Sequence, residues 1–257
     1  MSFNINNVGR PVCIIKGGQY NNHIICYSSQ KANLIGNEKF ANFKQLVLED
    51  EDAELLPFPN TESERDIVAC FGPSGSGKSY FIRNYVLEYQ KLHKKNPQYC
   101  ISLKKDDKSF SELKKLEQLE LNDTWIKQPL ELADFGEDCL IILDDTDTVR
   151  NKDIKNNVDA LKNQILEVGR DKKVTCLVTS HLATKGKETK TLLNEAHQIV
   201  IYLSSGANYK TLLENYLGLS TKQIQKLKDM ETRYIVFVRQ YPMILYTQKQ
   251  IMFLKDL

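Results

Sequence analysis

The chain has 257 residues, with 35 Lys and Arg against 33 Asp and Glu for a formal charge of +2; 41% of residues are hydrophobic and 26% charged. That balance excludes disorder over the whole length, and a chain this long buries roughly three quarters of its unfolded surface. No run reaches the roughly 18 apolar residues of a membrane helix, and the first 13 residues lack the apolar core of a secretory signal, so the expectation is a soluble protein in a reducing compartment with no membrane span.

Six cysteines lie at positions 13, 26, 70, 100, 139 and 176, and four histidines at 23, 93, 181 and 197. Neither set has zinc-site spacing. The cysteines in or beside apolar runs are expected as buried free thiols, since free cysteine behaves as a small hydrophobe. The near-neutral total charge says nothing about nucleic acid, because a local patch can be basic while the whole is balanced.

Along the chain, residues 1–60 differ from the rest. Two short apolar stretches, 11–16 and 23–27, flank Gly17-Gly18 and predict a pair of strands joined by a turn. Residues 40–48 predict a further strand or a short helix. The acidic run Glu49-Asp50-Glu51-Asp52, followed by Pro57 and Pro59, predicts a linker. The expected organisation is a β-rich extension over 1–60 and a second domain over 64–257, which carries C-terminal helix and hairpin elements. In the second unit, short apolar runs at 67–71, 99–103, 139–143, 174–179 and 199–203 predict buried strands. They alternate with helical patterns at 79–95, 109–120, 156–168 and 191–196, the second of them amphipathic and exposed. Strands apolar throughout and separated by helices predict an α/β fold, a RecA-like parallel sheet covered on both faces. The tail predicts two short helices near 209–217 and 221–228, then a hairpin of 234–238 with 243–246.

The chemistry begins at Gly72-Pro73-Ser74-Gly75-Ser76-Gly77-Lys78-Ser79, which matches G-x-x-x-x-G-K-[ST] in full. It lies directly after a predicted strand and before a predicted helix that continues through Tyr80. Its glycines let backbone N–H groups turn toward phosphate oxygens, and the helix adds its positive end. Lys78 is the candidate for the β- and γ-phosphates, and Ser79 for Mg²⁺. Pro73 has no N–H to donate, so it belongs at a point of the loop away from phosphate. The run Leu140-Ile141-Ile142-Leu143-Asp144-Asp145 ends a buried strand in two carboxylates, at the sheet edge where α/β folds bind ligands. Asp144 is the expected metal-side carboxylate and Asp145 the group that polarises water. A polar turn is the plainer account of Asp145-Thr146-Asp147. Together these residues predict ATP and Mg²⁺ as ligands. GTP is disfavoured, since Asn151-Lys152-Asp153-Ile154 departs from N-K-x-D, and no L-S-G-G-Q is present.

Two further candidates stay open. The strand at 174–179 leads into Ser180 and His181, either of which can face the γ-phosphate as a sensor, or be ordinary loop polarity. Arg170, after Gly169, is a candidate finger reaching a neighbouring subunit's γ-phosphate or a cation at a helix C-terminus; Arg150 is the reserve. Lysine-bearing stretches at 150–155 and 184–190 are candidate contacts to DNA phosphates, or solvated surface.

In their order these pieces resemble the HerA/FtsK superfamily, and within it the poxvirus-type genome-packaging ATPases of large DNA viruses and virophages. The resemblance covers about residues 64–240. It rests on 72–79, on Ile101-Ser102-Leu103-Lys104-Lys105-Asp106-Asp107, on 140–145, Gly169-Arg170, the strand ending at His181, and Leu193-Asn194-Glu195-Ala196-His197. It implies an ATPase that works as a homo-oligomeric ring and drives double-stranded DNA into a capsid. It also implies a capsid or portal partner, and a location in the viral factory of the host cytoplasm or in the virion. Arg170 would be the trans-acting finger. Asp145 stands where the wider superfamily has Glu. The competing functions from the residues alone are a kinase of a small metabolite and a nucleotide-dependent switch.

Overall fold

The computed structural model describes residues 1–29, 41–181, 186–203 and 209–257. The first sixty residues hold β1 (Ser2–Asn4), β2 (Arg10–Lys16), β3 (Ile24–Ser28), β4 (Ala41–Phe43), β5 (Gln45–Val47) and β6 (Glu54–Pro57). Five of them form an antiparallel sheet in the order β4-β1-β3-β2-β6. The segment expected as a linker is therefore partly a strand. Leu55 and Leu56 of β6 are buried, and Pro57 is tolerated because β6 is an edge.

The remainder follows as β7 (Ile67–Phe71), α1 (Lys78–Leu92), β8 (Gln98–Ser102), β9 (Leu116–Glu120), α2 (Thr124–Lys127), β10 (Leu140–Leu143), α3 (Lys152–Val168) and β11 (Thr175–Ser180). After these come α4 (Gly186–Glu195), β12 (Gln198–Ile201), α5 (Thr221–Lys228), β13 (Ile235–Val238), β14 (Ile244–Thr247) and β15 (Gln250–Phe253). A ten-stranded sheet runs β5-β15-β14-β13-β12-β7-β11-β10-β8-β9. The six strands from β12 to β9 are parallel; the other four continue antiparallel. This is the expected α/β architecture, with β11 inserted between the strand of the phosphate loop and the strand of the two aspartates.

Alternation along the strands divides the core. Ile67, Ala69 and Phe71 of β7 and Ile141 and Leu143 of β10 face a layer that contains α3, α4 and α5. Val68, Cys70, Leu140 and Ile142 face the opposite way, onto α1 and onto Phe3, Ile15 and Leu55 of the antiparallel sheet. The small sheet thus covers part of the same face as α1. β5 leaves it to extend the large sheet.

Two further expectations are corrected. Residues 109–120 are not a helix. The i, i+3 spacing of Phe110, Leu113 and Leu116 is real, but each of these N–H groups closes a separate turn, at 3.0, 2.9 and 2.9 Å. The chain then pairs as β9 beside β8. Residues 150–155 are not a loop, because Asn151 caps α3 by accepting from the N–H groups of Asp153 and Ile154. Residues 209–217 form the expected short helix, with π-helical geometry at Leu212–Tyr216. The hairpin of the tail gains β15, unforeseen, as a third strand. The stretch 184–190 lies partly outside the described residues; its remainder begins α4. All six cysteines are free and buried. Among the described residues no helix is long and apolar enough to cross a membrane.

Candidate nucleotide site

The phosphate loop grows out of β7, whose five residues are all buried. The Gly72 N–H donates to the Ser180 carbonyl at 3.1 Å, which carries the ladder one residue past the strand. A Cβ at Gly72 would stand 2.7 Å from Ser76 Oγ and 2.9 Å from Tyr202 Cβ, so the backbone passes where no side chain fits. Gly77 opens α1 at φ +112°, a conformation glycine supplies without strain. The resulting concavity, about 370 Å³, is lined by Ser74, Gly75, Gly77, Lys78 and Ser79 of the loop and by Asp145 opposite. Pro73 contributes its carbonyl, which accepts from Lys78 Nζ at 3.3 Å.

Lys78 is 5% exposed. Its ammonium also donates to the Gly72 carbonyl at 2.9 Å and lies 3.3 Å from Asp145 Oδ1. The cation that must meet phosphate is thus already inside the loop, with a carboxylate as its partner. Tyr80 reaches away from the loop, donating to Glu54 Oε1 at 2.6 Å, while its ring borders the same cavity.

Asp144 ends β10 almost fully buried, and burial pushes its carboxyl above the ordinary aspartate range. A hydrogen bond from Thr179 pulls the other way, and Asp145 adds a neighbouring negative charge. Asp145 turns out of the strand at φ +47°, in the left-handed region that Asp tolerates better than most residues. The turn lets both carboxylates reach one shared hydroxyl instead of pointing to opposite faces of the sheet. Asp145 also opens the turn Thr146–Thr148, so the plainer sequence account of this stretch holds alongside the site geometry.

Thr179 is the residue that sequence reasoning missed. It is fully buried at the end of β11. Its hydroxyl lies 2.8 Å from Asp144 Oδ1 and 3.1 Å from Asp145 Oδ1, and it accepts the Asp145 N–H at 2.8 Å. A signal existed. Leu143 pairs with Val178 in register, so the next step along both strands sets Asp144 beside Thr179. The two sensor candidates stand next to it, turned toward Asp147 and Asp145. Ser180 Oγ donates to Asp147 Oδ2 at 2.9 Å, and the His181 N–H donates to the same oxygen at 3.1 Å. The His181 ring is half-buried, with Nε2 3.6 Å from Asp145 Oδ2. Arg233 was also passed over as a site residue. Its Nη2 would lie 3.4 Å from a Cβ placed on Gly77, on the flank of the loop made by β12 and β13.

Arg170 is not brought to this cavity. It follows α3 in the turn before β11, at the opposite edge of the parallel sheet from the phosphate loop, and it is exposed. The last carbonyls of α3 are served by another cation: Arg65 donates to Ile165 O at 2.8 Å and to Leu166 O at 2.9 Å.

No family model matches the chain. Over 253 residues it is 32% identical to "Uncharacterized protein V3" of Sputnik virophage, an alignment spanning 95% of each. The cytoplasmic domain of the type VII secretion ATPase EccC of Thermomonospora curvata shares the fold with a TM-score of 0.50 and 13% identity, covering 80% of this chain and 28% of its own. The genome-packaging NTPase B204 of Sulfolobus turreted icosahedral virus 2, in complex with AMPPCP, aligns with 72% of this chain and 98% of its own, at 16% identity and a TM-score of 0.49. By its identity to the virophage protein over nearly the full length of both, the chain belongs to the V3 family of Sputnik virophage, built on a P-loop ATPase fold.

Proposed function

We propose that the protein is an ATP-hydrolysing motor that moves double-stranded DNA into a viral capsid. The observation that carries the enzymatic half is the convergence at one sheet edge of a complete phosphate loop, two adjacent aspartates and a buried hydroxyl on both. That set suits hydrolysis: a cradle of N–H groups for phosphate, a cation for developing charge, and a carboxylate directed at the cavity for water. The order of motifs that resembles the viral packaging ATPases, together with a virophage relative, supplies the DNA and the capsid. The motor unit would span residues 64–257 and act as a homo-oligomeric ring on a capsid or portal protein, in the viral factory or the virion.

In this reading the loop N–H groups and Lys78 bind the phosphates. Ser79 and Asp144 offer the hydroxyl and carboxylate oxygens that a hard divalent cation takes, so the residues fit Mg²⁺. Asp145 orients the attacking water and accepts its proton. Lys78 and Asp145 lie 3.3 Å apart, so the phosphate-binding cation and the proposed base share one side of the cavity.

The test is steady-state ATP hydrolysis with Mg²⁺, with and without long duplex DNA, across a salt series. Stimulation by DNA that falls as salt rises is the expected result, because a grip on phosphates is weakened by counterions. Hydrolysis indifferent to DNA at every salt concentration, in protein docked on its capsid, would overturn the motor reading.

A further inference from the structure

The cavity does not stop at the phosphate loop. Past Ser79 it continues to a wall made by Arg83 on α1 and by Lys104 and Ser109 on the segment that leaves β8. None of the three belongs to the phosphate-loop or acidic-strand patterns. Arg83 is one helical turn beyond Ser79. Its guanidinium lies 5.5 Å from the Tyr80 ring centroid and 3.4 Å from Glu112, and its Nε is buried with no hydrogen-bond partner. Lys104 is aimed by Asp107, at 2.7 Å. Asp107 is itself buried, and it is fixed by accepting the Ser109 N–H at 2.8 Å. Two cations and a hydroxyl thus border a space in which Asp145 is the one acid that lines the wall.

Topology says which part of a nucleotide meets them. Across the sheet the order is β12, β7, β11, β10, β8. The phosphate loop springs from β7. Arg233 and Tyr202 flank it on the β12 side, and Asp144 and Asp145 stand at β10. The wall follows β8, on the far side of the aspartates from Tyr202. A triphosphate lying along the loop with its end toward Asp145 directs its last phosphate at this wall and its base away from it.

We propose that Arg83 and Lys104 form a subsite for the terminal phosphate, which distinguishes nucleoside triphosphate from diphosphate. The inference rests on the nucleotide reading of the site. It adds Arg83, which lies outside every motif, and gives a role to Lys104, which the resemblance includes without one. A direct charged contact to one phosphate contributes to triphosphate affinity and nothing to diphosphate affinity.

The experiment is isothermal titration of the full chain with Mg²⁺-ATPγS and with Mg²⁺-ADP, comparing wild type, Lys104→Ala, Lys104→Arg and Arg83→Gln. The Lys104 side chain is 67% exposed, so its truncation leaves packing intact, and thermal melting checks this. The expected result is that Lys104→Ala and Arg83→Gln each weaken ATPγS by about tenfold and change ADP by less than about twofold, with Lys104→Arg recovering most of the loss. Equal weakening of both nucleotides, or no change in either, overturns the proposal. A wild type that binds neither nucleotide would overturn the nucleotide reading itself, an outcome separate from failure of the subsite.

Discussion

Thr179 shows how much one hydroxyl can organise. It is fully buried between two carboxylates, and the oxygen left without that partner would carry a desolvation penalty as well as lose its position. Thr179→Val keeps the shape and removes the bond. The expected effect is a fall in kcat of about ten- to a hundredfold with KM for ATP changed little, and recovery in Thr179→Ser. An unchanged kcat in the valine variant would show that the aspartates hold themselves. Thr179 lacked the local signal that Ser180 and His181 carry, because polar residues at the end of a strand stand out and a threonine inside a buried strand does not. Asp144 and Asp145 were legible for the opposite reason: two charges after four aliphatic residues have no packing explanation.

At the scale of elements, the strands were legible wherever both faces are buried, since a parallel strand is then apolar throughout. β7, β10, β11 and β12 all read this way. β9 did not, because an edge strand with half-exposed residues, broken by Glu117, Gln118 and Glu120, carries no such run. Its neighbours Phe110 and Leu113 imitate a helix through consecutive turns. The antiparallel sheet offers a direct test of how elements share a core. Phe3 of β1 is fully buried, its ring 4.4 Å from that of Phe253 in β15. Phe3→Ala is expected to cost about 3–5 kcal/mol, and to lower the melting point of the whole chain in a single transition. Two separate transitions by calorimetry, with only the lower one shifted, would mean that the small sheet folds as a unit apart.

At the scale of the whole molecule, the distribution of charge groups across the two sheet edges matters most. The phosphate loop, both aspartates and Thr179 share one edge, and Arg170 is exposed at the other. A residue so placed could reach nucleotide only in another subunit, the trans role that the resemblance implies. Under the proposed ring assembly, mixing Lys78→Ala with Arg170→Ala is expected to recover part of the hydrolysis that each variant lacks alone, since some sites would combine an intact loop with an intact finger. If subunits exchange, as mass spectrometry can verify, and the mixture remains inactive, the trans role fails.

The phosphate loop, the acidic strand and the alternation of buried strands with helices were determined by the sequence alone, because each is local. A loop of glycines, a lysine after them and a short apolar run carry their physics within about eight residues. The tertiary structure decided what depends on distance between segments. It set Thr179 beside Asp144 from 35 residues away, brought Lys104 and Arg83 to one cavity, and sent Arg170 to the far edge. It also gave the start of the chain a strand in the large sheet. Those placements follow from strand order and register, which no local pattern encodes, since a parallel sheet pairs strands across intervening helices.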